Sequence, residues 1–513
     1  MASASPGRAG PATFVDVIRG LDHPTSGITF ASAPAEVVSY AALGALVRGN
    51  ARHLAGSGVG RGDRVAIAIA SDLEHVVATL ALIALGAVPV SVKPSRGASD
   101  DGYASSLQRL VTRYGVRFAY RSLPELGVAA VAWDPGAAAG DDSVLAAVDP
   151  DDTCIIQFSS GSLGDPKPVP IRHASLVENI RAIIALDRRL PSTWCWTFLP
   201  LSHDMGLVGG LLTNLTFQNP LYLSTPQRFL RRPLEFFQWS EGRDCGIAMP
   251  EFALRYLVRH LAGRASKPDP RLLSGIRTIY CGAEPIRHET IAAVVEAAPA
   301  WGLDPGALIF CYGMAEATLL VTAHRFRSLA ESFADGPGER RIACVGTPAP
   351  GTEVVVRTPD GAPAAPGAEG DIFVRGPGVC RGYVDAPALA DGWHDTGDVG
   401  FLQGGDLYIT GRVKEVIIIN GENLFPHDIE ELVGGIPGVR DCMVMNDGDQ
   451  FFVAVVAPQA LELADLAARV LARFGAAPAG IAIASPAELV RTTSGKPMRH
   501  ATLQALRARM RTS

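Results

Sequence analysis

A chain of 513 residues exceeds what a single hydrophobic core organises, so two or more domains are expected, with interior enough for a polar site. Its 46 Lys and Arg are dispersed among 52 Asp and Glu, a formal net charge of -6, which leaves no basic field for a nucleic acid and excludes that partner class. Apolar segments such as VAIAIA and VVATLALIALGAVPVSV are broken by charge, Gly or Pro before membrane length. The start MASASPGRAGPATF has no apolar leader core. The eight cysteines form no CxxC pair and sit among apolar neighbours, as at Cys154 and Cys281. The expectation is a cytoplasmic protein with no membrane segment, no disulfide framework and no zinc site.

Residues 40–92 read as helix (YAALGALVRGNARHLAGSG), strand (DRVAIAIA), helix (HVVATLALIALG) and strand (AVPVSV), the alternation of an α/β domain. The alternation resumes over residues 153–322, opening with TCIIQF, a short apolar run expected as a buried strand. Residues 323–341, charged and poor in apolar side chains, are expected as a surface loop. Residues 346–376 are rich in Gly and Pro and carry the short β-like pieces TEVVVRT and GDIFVRG, a small β subdomain that ends in DGWHDTGDVGFLQGGDLYITGR. After Arg412 come VIIIN, a helix over 427–433, and MVMND with FFVAVVAP as a hairpin. A boundary near residues 411–414 therefore divides the chain into residues 1–411 and 412–513. No internal repeat or long low-complexity tract is present.

The stretch FSSGSLGDPKPVPIRH, residues 158–173, follows the TCIIQF strand and gathers the parts of a phosphate cradle. Gly161 and Gly164 admit backbone N–H groups close to phosphate oxygens, Ser159, Ser160 and Ser162 add hydroxyl donors, and Lys167 adds charge. A glycine-rich turn beside a lysine is common on protein surfaces. The stretch acquires meaning from the segments that follow it.

Those segments occur in a fixed order: LPLSHDMGL (199–207), CGAEPI (281–286), CYGMAEAT (311–318), HDTGD (394–398), GRVKE (411–415) and TTSGKPMR (492–499). Together with the loop, they resemble the adenylate-forming superfamily of acyl-CoA synthetases, adenylation domains and luciferases, over nearly the whole chain. The resemblance implies an α/β fold. Its large N-terminal domain would hold two doubly wound α/β subdomains and a small β-barrel subdomain, and a smaller, mobile α+β C-terminal domain would carry the catalytic lysine. It also implies a reaction in which a carboxylate attacks the α-phosphorus of ATP, so that two anions must be held together. By resemblance, Ser159 to Lys167 enclose the β- and γ-phosphates, and Glu316 helps hold Mg²⁺, which neutralises them. Tyr312, Gly313, Met314 and the backbone of Gly282, Ala283 and Glu284 form the adenine slot. Asp398 accepts both ribose hydroxyls, with Arg412 beside it. Lys496 reaches the α-phosphate and carboxylate oxygens, where negative charge converges. His203, next to Asp204, is either a satisfied core group or a gate for the acid. Leu207, Met249, Pro250 and Met314 are either packing or walls of an acyl pocket.

In the superfamily the C-terminal domain swings after adenylation and presents a second face for a thiol. Lys414 stands at the hinge position, and Gly421, in VIIINGENLFPHDIE, stands where a residue without a side chain leaves room for a pantetheine arm. LSHDMGL and FLRRPLEFFQW resemble the fatty-acyl-AMP ligase branch, which stops at the adenylate or passes it to a carrier protein. That branch carries a long insertion between the AEAT motif and the GxPxPG turn, whereas Glu316 and Gly346 are close here. The expectation is thus an AMP-forming acyl-CoA ligase using ATP, Mg²⁺ and coenzyme A, with a carrier-protein ligase as the alternative. Leu163 replaces a phosphate-contacting threonine and Pro168 a glycine of the family loop. One lost charge-assisted hydrogen bond costs about 1.5–3 kcal/mol, roughly ten- to hundredfold in affinity or rate. Two further alternatives follow: an enzyme that only converts acyl-adenylate made by a partner adenylating enzyme, and a non-catalytic adenylate-binding protein, which retention of Lys496 argues against. A medium or long fatty acid follows from the branch, a bulky ring-containing acid of secondary metabolism is the other option, and a homodimer is common among relatives.

Overall fold

The computed structural model describes residues 10–92, 108–109, 111–121, 123, 126–159, 167–186, 192–263, 268–336, 340–389, 391–419, 422–447, 450–457, 461–491 and 497–510. Two large sheets dominate. In the first, six strands lie in the order Ala129–Val131, Val116–Tyr120, Arg64–Ile67, Val88–Ser91, Thr153–Phe158, Pro168–Arg172. All are parallel except the last pair. The expected helix–strand–helix–strand run over 40–92 is present as Tyr40–Gly56, Arg64–Ile67, Leu73–Ala84 and Val88–Ser91. The helix Leu73–Ala84 is buried from Val76 to its end, which explains its nearly unbroken apolar sequence: it is sandwiched rather than surface-lying.

The second sheet has a parallel core ordered Leu308–Gly313, Ile276–Cys281, Cys245–Ala248, Trp194–Thr197, Leu221–Leu223, Gly27–Phe30, with antiparallel strands on both sides. On one side the β-rich stretch continues the same hydrogen-bonded path through Leu320–Arg325, Arg341–Pro348, Asp406–Arg412, His394–Gln403, Gly370–Arg375 and Glu353–Arg357. Among the described residues, no strand beyond Arg412 joins either large sheet. The segments there form a hairpin, Ile417–Ile419 with Glu422–Leu424, and a three-stranded sheet. The latter pairs Asp441–Asp447 antiparallel with Gln450–Val456, as expected for MVMND and FFVAVVAP, and adds Gly480–Ile483. Helices Pro426–Gly434 and Leu463–Phe474 cover it around Ile429, Val433, Val444, Val453 and Val470.

Residues 323–341 correct the expected surface loop. The strand Leu320–Arg325 extends into them, a single helical turn spans Leu329–Ser332, and Phe333–Asp335 pairs with Arg341–Pro348. Phe326 and Phe333 are 5% and 3% exposed and lie in the aromatic core. Two well-placed aromatics outweigh the surrounding charge. No helix among the described residues is long and apolar enough to cross a membrane, and the eight cysteines are thiols outside any disulfide, all but half-buried Cys311 being buried.

Candidate active site

A cavity of about 220 Å³ opens where the parallel strands of the second sheet end, the usual ligand position in open α/β sheets. Strand Ile276–Cys281 delivers Ala283 and Glu284 to it. Strand Leu308–Gly313 delivers Tyr312 and Gly313, and the paired strands His394–Gln403 and Asp406–Arg412 deliver Asp398 and Arg412. Ala283 and Arg412, far apart in the chain, are thereby brought into one wall. Gly282 lies behind it, buried, and a Cβ there would stand 2.4 Å from the Cys311 carbonyl oxygen. A Cβ on Gly313 would fall 1.9 Å from the Leu319 oxygen, so the chain can double back only with glycine at that point. Of three non-glycine residues with positive φ among the described residues, two flank this region: Ala283 at +69° and Thr318 at +66°. Backbone strain of this kind persists where the surroundings over-determine it, as at ligand sites.

Asp398 is 3% exposed and accepts two hydrogen bonds, from Tyr312 Oη to Oδ2 (2.6 Å) and from Arg412 Nε to Oδ1 (2.8 Å). Each carboxylate oxygen keeps a further lone pair, enough to accept one hydroxyl apiece. Burial and the neighbouring Asp398 hold the Tyr312 phenol far above its ordinary range, so it stays a donor. Asp398 in turn keeps the Arg412 guanidinium charged. Glu284 faces the other way: its Oε1 accepts the Phe252 N–H (2.6 Å) at the start of helix Glu251–Ala262. Burial, with Glu251 nearby, pushes its carboxyl up to about 7.

The residues expected to take phosphates lie beyond Gly313. Ser159 N–H donates to the Lys167 carbonyl (2.9 Å), closing the neck of the loop, while Ser160, Gly161, Ser162, Leu163 and Gly164 lie outside the described residues. Glu316 is half-buried on a single turn after the Leu308–Gly313 strand, with Oε1 accepting from Tyr383 Oη (3.0 Å). A hard carboxylate of this kind fits Mg²⁺, which would be held by it together with phosphates of a bound nucleotide.

The opposite rim comes from the last part of the chain. Pro497, Met498 and Arg499 line the cavity, directly after Lys496, which lies outside the described residues, as does Gly421. Arg499 is buried; it donates to Val444 O (2.7 Å) and pairs with Glu430 and, at 3.4 Å, with Glu415, which also lines the cavity. Lys414, exposed beside Glu415, sits on the single turn Val413–Glu415 that follows the last strand of the large sheet.

The acyl-pocket candidates are not gathered into this cavity. His203 is half-buried just ahead of the π-helical segment Met205–Leu212. Leu207 and Met249 have no exposed surface and belong to different packed clusters; Trp194, Met205 and Phe252 pack around the second. Pro250 is buried directly before helix Glu251–Ala262, and half-buried Met314 packs on a third cluster with Tyr312.

Residues that sequence reasoning missed complete the site. Arg340 donates to Thr410 O, pairs with Asp428 (2.8 Å), contacts His427 Nε2 (2.6 Å) and lies 5.0 Å from the Phe425 ring centroid, tying the reclassified 323–341 segment to helix Pro426–Gly434. Tyr383 contacts both Glu316 and Lys167. Neither belongs to a segment with the periodicity or glycine spacing that flags a site.

Comparison with known proteins agrees with the geometry. The profile of the AMP-binding enzyme family matches residues 25–384, and the chain belongs to that family. It is 32% identical over 436 residues to a putative acyl-CoA synthetase of Caulobacter vibrioides, covering 74% of this chain and 72% of the relative. Over 408 residues it is 30% identical to a medium-chain-fatty-acid–[acyl-carrier-protein] ligase of Teredinibacter turnerae, covering 69% and 63%. Among solved structures, one from a study of fatty acyl-adenylate ligases of E. coli and L. pneumophila superposes with a TM-score of 0.85 at 26% identity, covering 97% of this chain and 98% of that one. The protein is thus an adenylate-forming ligase of the acyl-CoA synthetase and fatty-acyl-AMP ligase type.

Proposed function

We propose that the protein is an acyl-CoA ligase. A carboxylate oxygen bonds to the α-phosphorus of ATP and pyrophosphate leaves. The CoA sulfur then bonds to the acyl carbon, AMP leaves and the thiol proton passes to solvent. The observation that carries the first step is the shared cavity, with the buried Asp398 carboxylate on one wall and Pro497 and Met498, the neighbours of Lys496, on the other. In this reading Asp398 takes the ribose, Tyr312 with residues 282–284 takes the adenine, and residues 159–167 take the β- and γ-phosphates. Lys496 faces the α-phosphate and carboxylate, where charge builds in the transition state. Glu316 would hold Mg²⁺, which supplies neutralisation of the phosphates when bound.

Support for CoA comes from the short run between Glu316 and Gly346. Its described residues are used by a strand, one helical turn and a three-residue strand, which leaves little for a long insertion. The acyl-AMP ligase that delivers to a carrier protein is the second reading. It is favoured by the likeness to the fatty acyl-adenylate ligase structure and by the Arg340 contacts that bind this run to helix Pro426–Gly434. A medium or long fatty acid is the proposed substrate class. The test offers a panel of acids, as free acid with Mg·ATP or as preformed acyl-adenylate, together with CoA or a holo-carrier protein, and counts thioester by mass spectrometry. Acyl-CoA from both forms supports the first reading, and acyl-AMP that accumulates from ATP and moves only to the carrier supports the second. Thioester from the adenylate alone would mean that Leu163 and Pro168 have disabled the ATP step.

A further inference from the structure

The segment running from Pro377 to Val384 is strapped across the phosphate end of the site. Cys380 N–H donates to the backbone oxygen of Glu316 (2.7 Å), Thr318 Oγ1 donates to Gly378 O (2.7 Å), and Val384 N–H donates to Pro168 O (3.2 Å). Arg381 reaches Asp151 (3.1 Å), which Arg172 also holds. The strap is thus fixed to both the Glu316 turn and the chain leaving the phosphate loop. Gly382 has φ +144°, and a Cβ there would meet Pro387 O at 2.9 Å, so glycine is required where the strap turns Tyr383 inward. Tyr383 Oη donates to Glu316 Oε1 at 3.0 Å, Lys167 Nζ lies 4.7 Å from the centre of the Tyr383 ring, and the His394 ring packs edge-on against it at 6.2 Å.

We propose that Tyr383 is a positioning residue for the adenylation step: its hydroxyl orients the Glu316 carboxylate for a divalent cation, and its ring face parks the Lys167 ammonium beside the phosphate site. The inference rests on the reading of this cavity as a nucleotide site. With Oε1 held by the phenol, Oε2 is the oxygen directed to the metal, and the carboxylate does not rotate onto Lys167. Without the ring, the two opposite charges would pair with each other and would have to be separated before either met its ligand. Partners that orient a metal-binding carboxylate from behind typically change metal affinity ten- to hundredfold when removed.

The test uses the full chain with Mn²⁺ as a spin probe and the β,γ-imido analogue of ATP, bound Mn²⁺ being counted by electron paramagnetic resonance and metal-free analogue affinity by calorimetry. Tyr383→Phe keeps the ring and removes only the hydroxyl. It should weaken Mn²⁺ binding about tenfold or more and leave metal-free nucleotide affinity within about twofold, because the cation–ring contact is retained. Tyr383→Leu should show the same metal defect and a further loss of roughly two- to fivefold in metal-free nucleotide affinity. In ATP–pyrophosphate exchange, Tyr383→Phe should raise the Mg²⁺ requirement while the maximal rate recovers at saturating Mg²⁺, a split that a folding defect would not give. Mn²⁺ affinity unchanged in Tyr383→Phe, with the wild type binding normally, overturns the role of Tyr383 alone. A wild type that binds no Mn²⁺ with the analogue overturns the nucleotide-site reading and this inference with it.

Discussion

The two walls of the cavity are held in different ways. The wall made by the parallel-strand ends is tightly held: buried Asp398 is fixed by Tyr312 and Arg412, a Cβ on Gly313 would meet the Leu319 oxygen, and Ala283 sits at φ +69°. The facing rim, residues 497–499, belongs to the part beyond Arg412, within which buried Arg499 pairs with Glu430 and Glu415; polar contacts from Arg340 to Asp428 and His427 tie that part to the large sheet, and Met498 is 40% exposed. A rigid wall holds a nucleotide without reorganisation, whereas a rim held by a few polar contacts can be released at modest cost. This division suits a site that binds one substrate throughout and changes what faces it between two chemical steps.

The largest expected effect separates the walls most sharply. Lys496→Ala should cut ATP–pyrophosphate exchange by at least about a hundredfold while nucleotide affinity, measured by calorimetry, stays close to wild type. Exchange surviving the change would remove that lysine from the account. Asp398→Ala attacks the rigid wall instead. It deletes an acceptor for the ribose and strands Arg412 and Tyr312, and it should weaken AMP binding about ten- to hundredfold. Its effect on Kd, against that of Lys496→Ala on rate, is the cleanest statement of the contrast.

The other two predictions concern the rim. Arg340→Ala removes the tie between the 323–341 segment and helix Pro426–Gly434, and should speed proteolysis near the exposed Lys414 turn several-fold. Hydrogen exchange in strand Leu308–Gly313 should not change. The smallest effect is a pH dependence. Glu431, on that same helix, and Glu289, on helix His288–Trp301, are hydrogen-bonded carboxyls, with burial and Glu289 raising Glu431 to about 8 and the proton shared with a lowered Glu289. The raised Glu431 favours docking on the acid side and the lowered Glu289 withdraws its share only at still lower pH, so docking is strongest near the ordinary carboxylate range. It weakens as pH rises from there to about 8, and is flat beyond. Rate-corrected hydrogen exchange of helix Pro426–Gly434 should show this loss of protection, and Glu431→Gln should abolish it.

Much of the rigid wall was legible in the sequence because its parts fall in short, glycine-marked motifs on or just after strands. Ala283, Glu284, Tyr312, Gly313, Asp398 and Arg412 were all named from motifs and lie together in the structure. The α/β alternation was legible from apolar periodicity, down to helices Tyr40–Gly56 and Leu73–Ala84. The rim was legible in TTSGKPMR, which ends in Pro497, Met498 and Arg499, whereas Arg340 and Tyr383 were not, since they act through contacts between segments that no periodicity links. The 323–341 segment misled for a related reason: its charge count suggested solvent, while Phe326 and Phe333 decided its position. The acid pocket stayed unread because it depends on the packing of Trp194, Met205, Phe252 and Met249 in three dimensions.

The most direct test of the central claim, that this cavity joins a carboxylate to the α-phosphate of ATP, is an isotope transfer. A carboxylic acid labelled with ¹⁸O in both oxygens is incubated with the protein, Mg·ATP and CoA, and the released nucleotide is analysed by mass spectrometry. The account predicts one ¹⁸O atom in AMP, with unlabelled pyrophosphate. Label in inorganic phosphate with ADP as the nucleotide product, or thioester formed with no label in AMP, would contradict it.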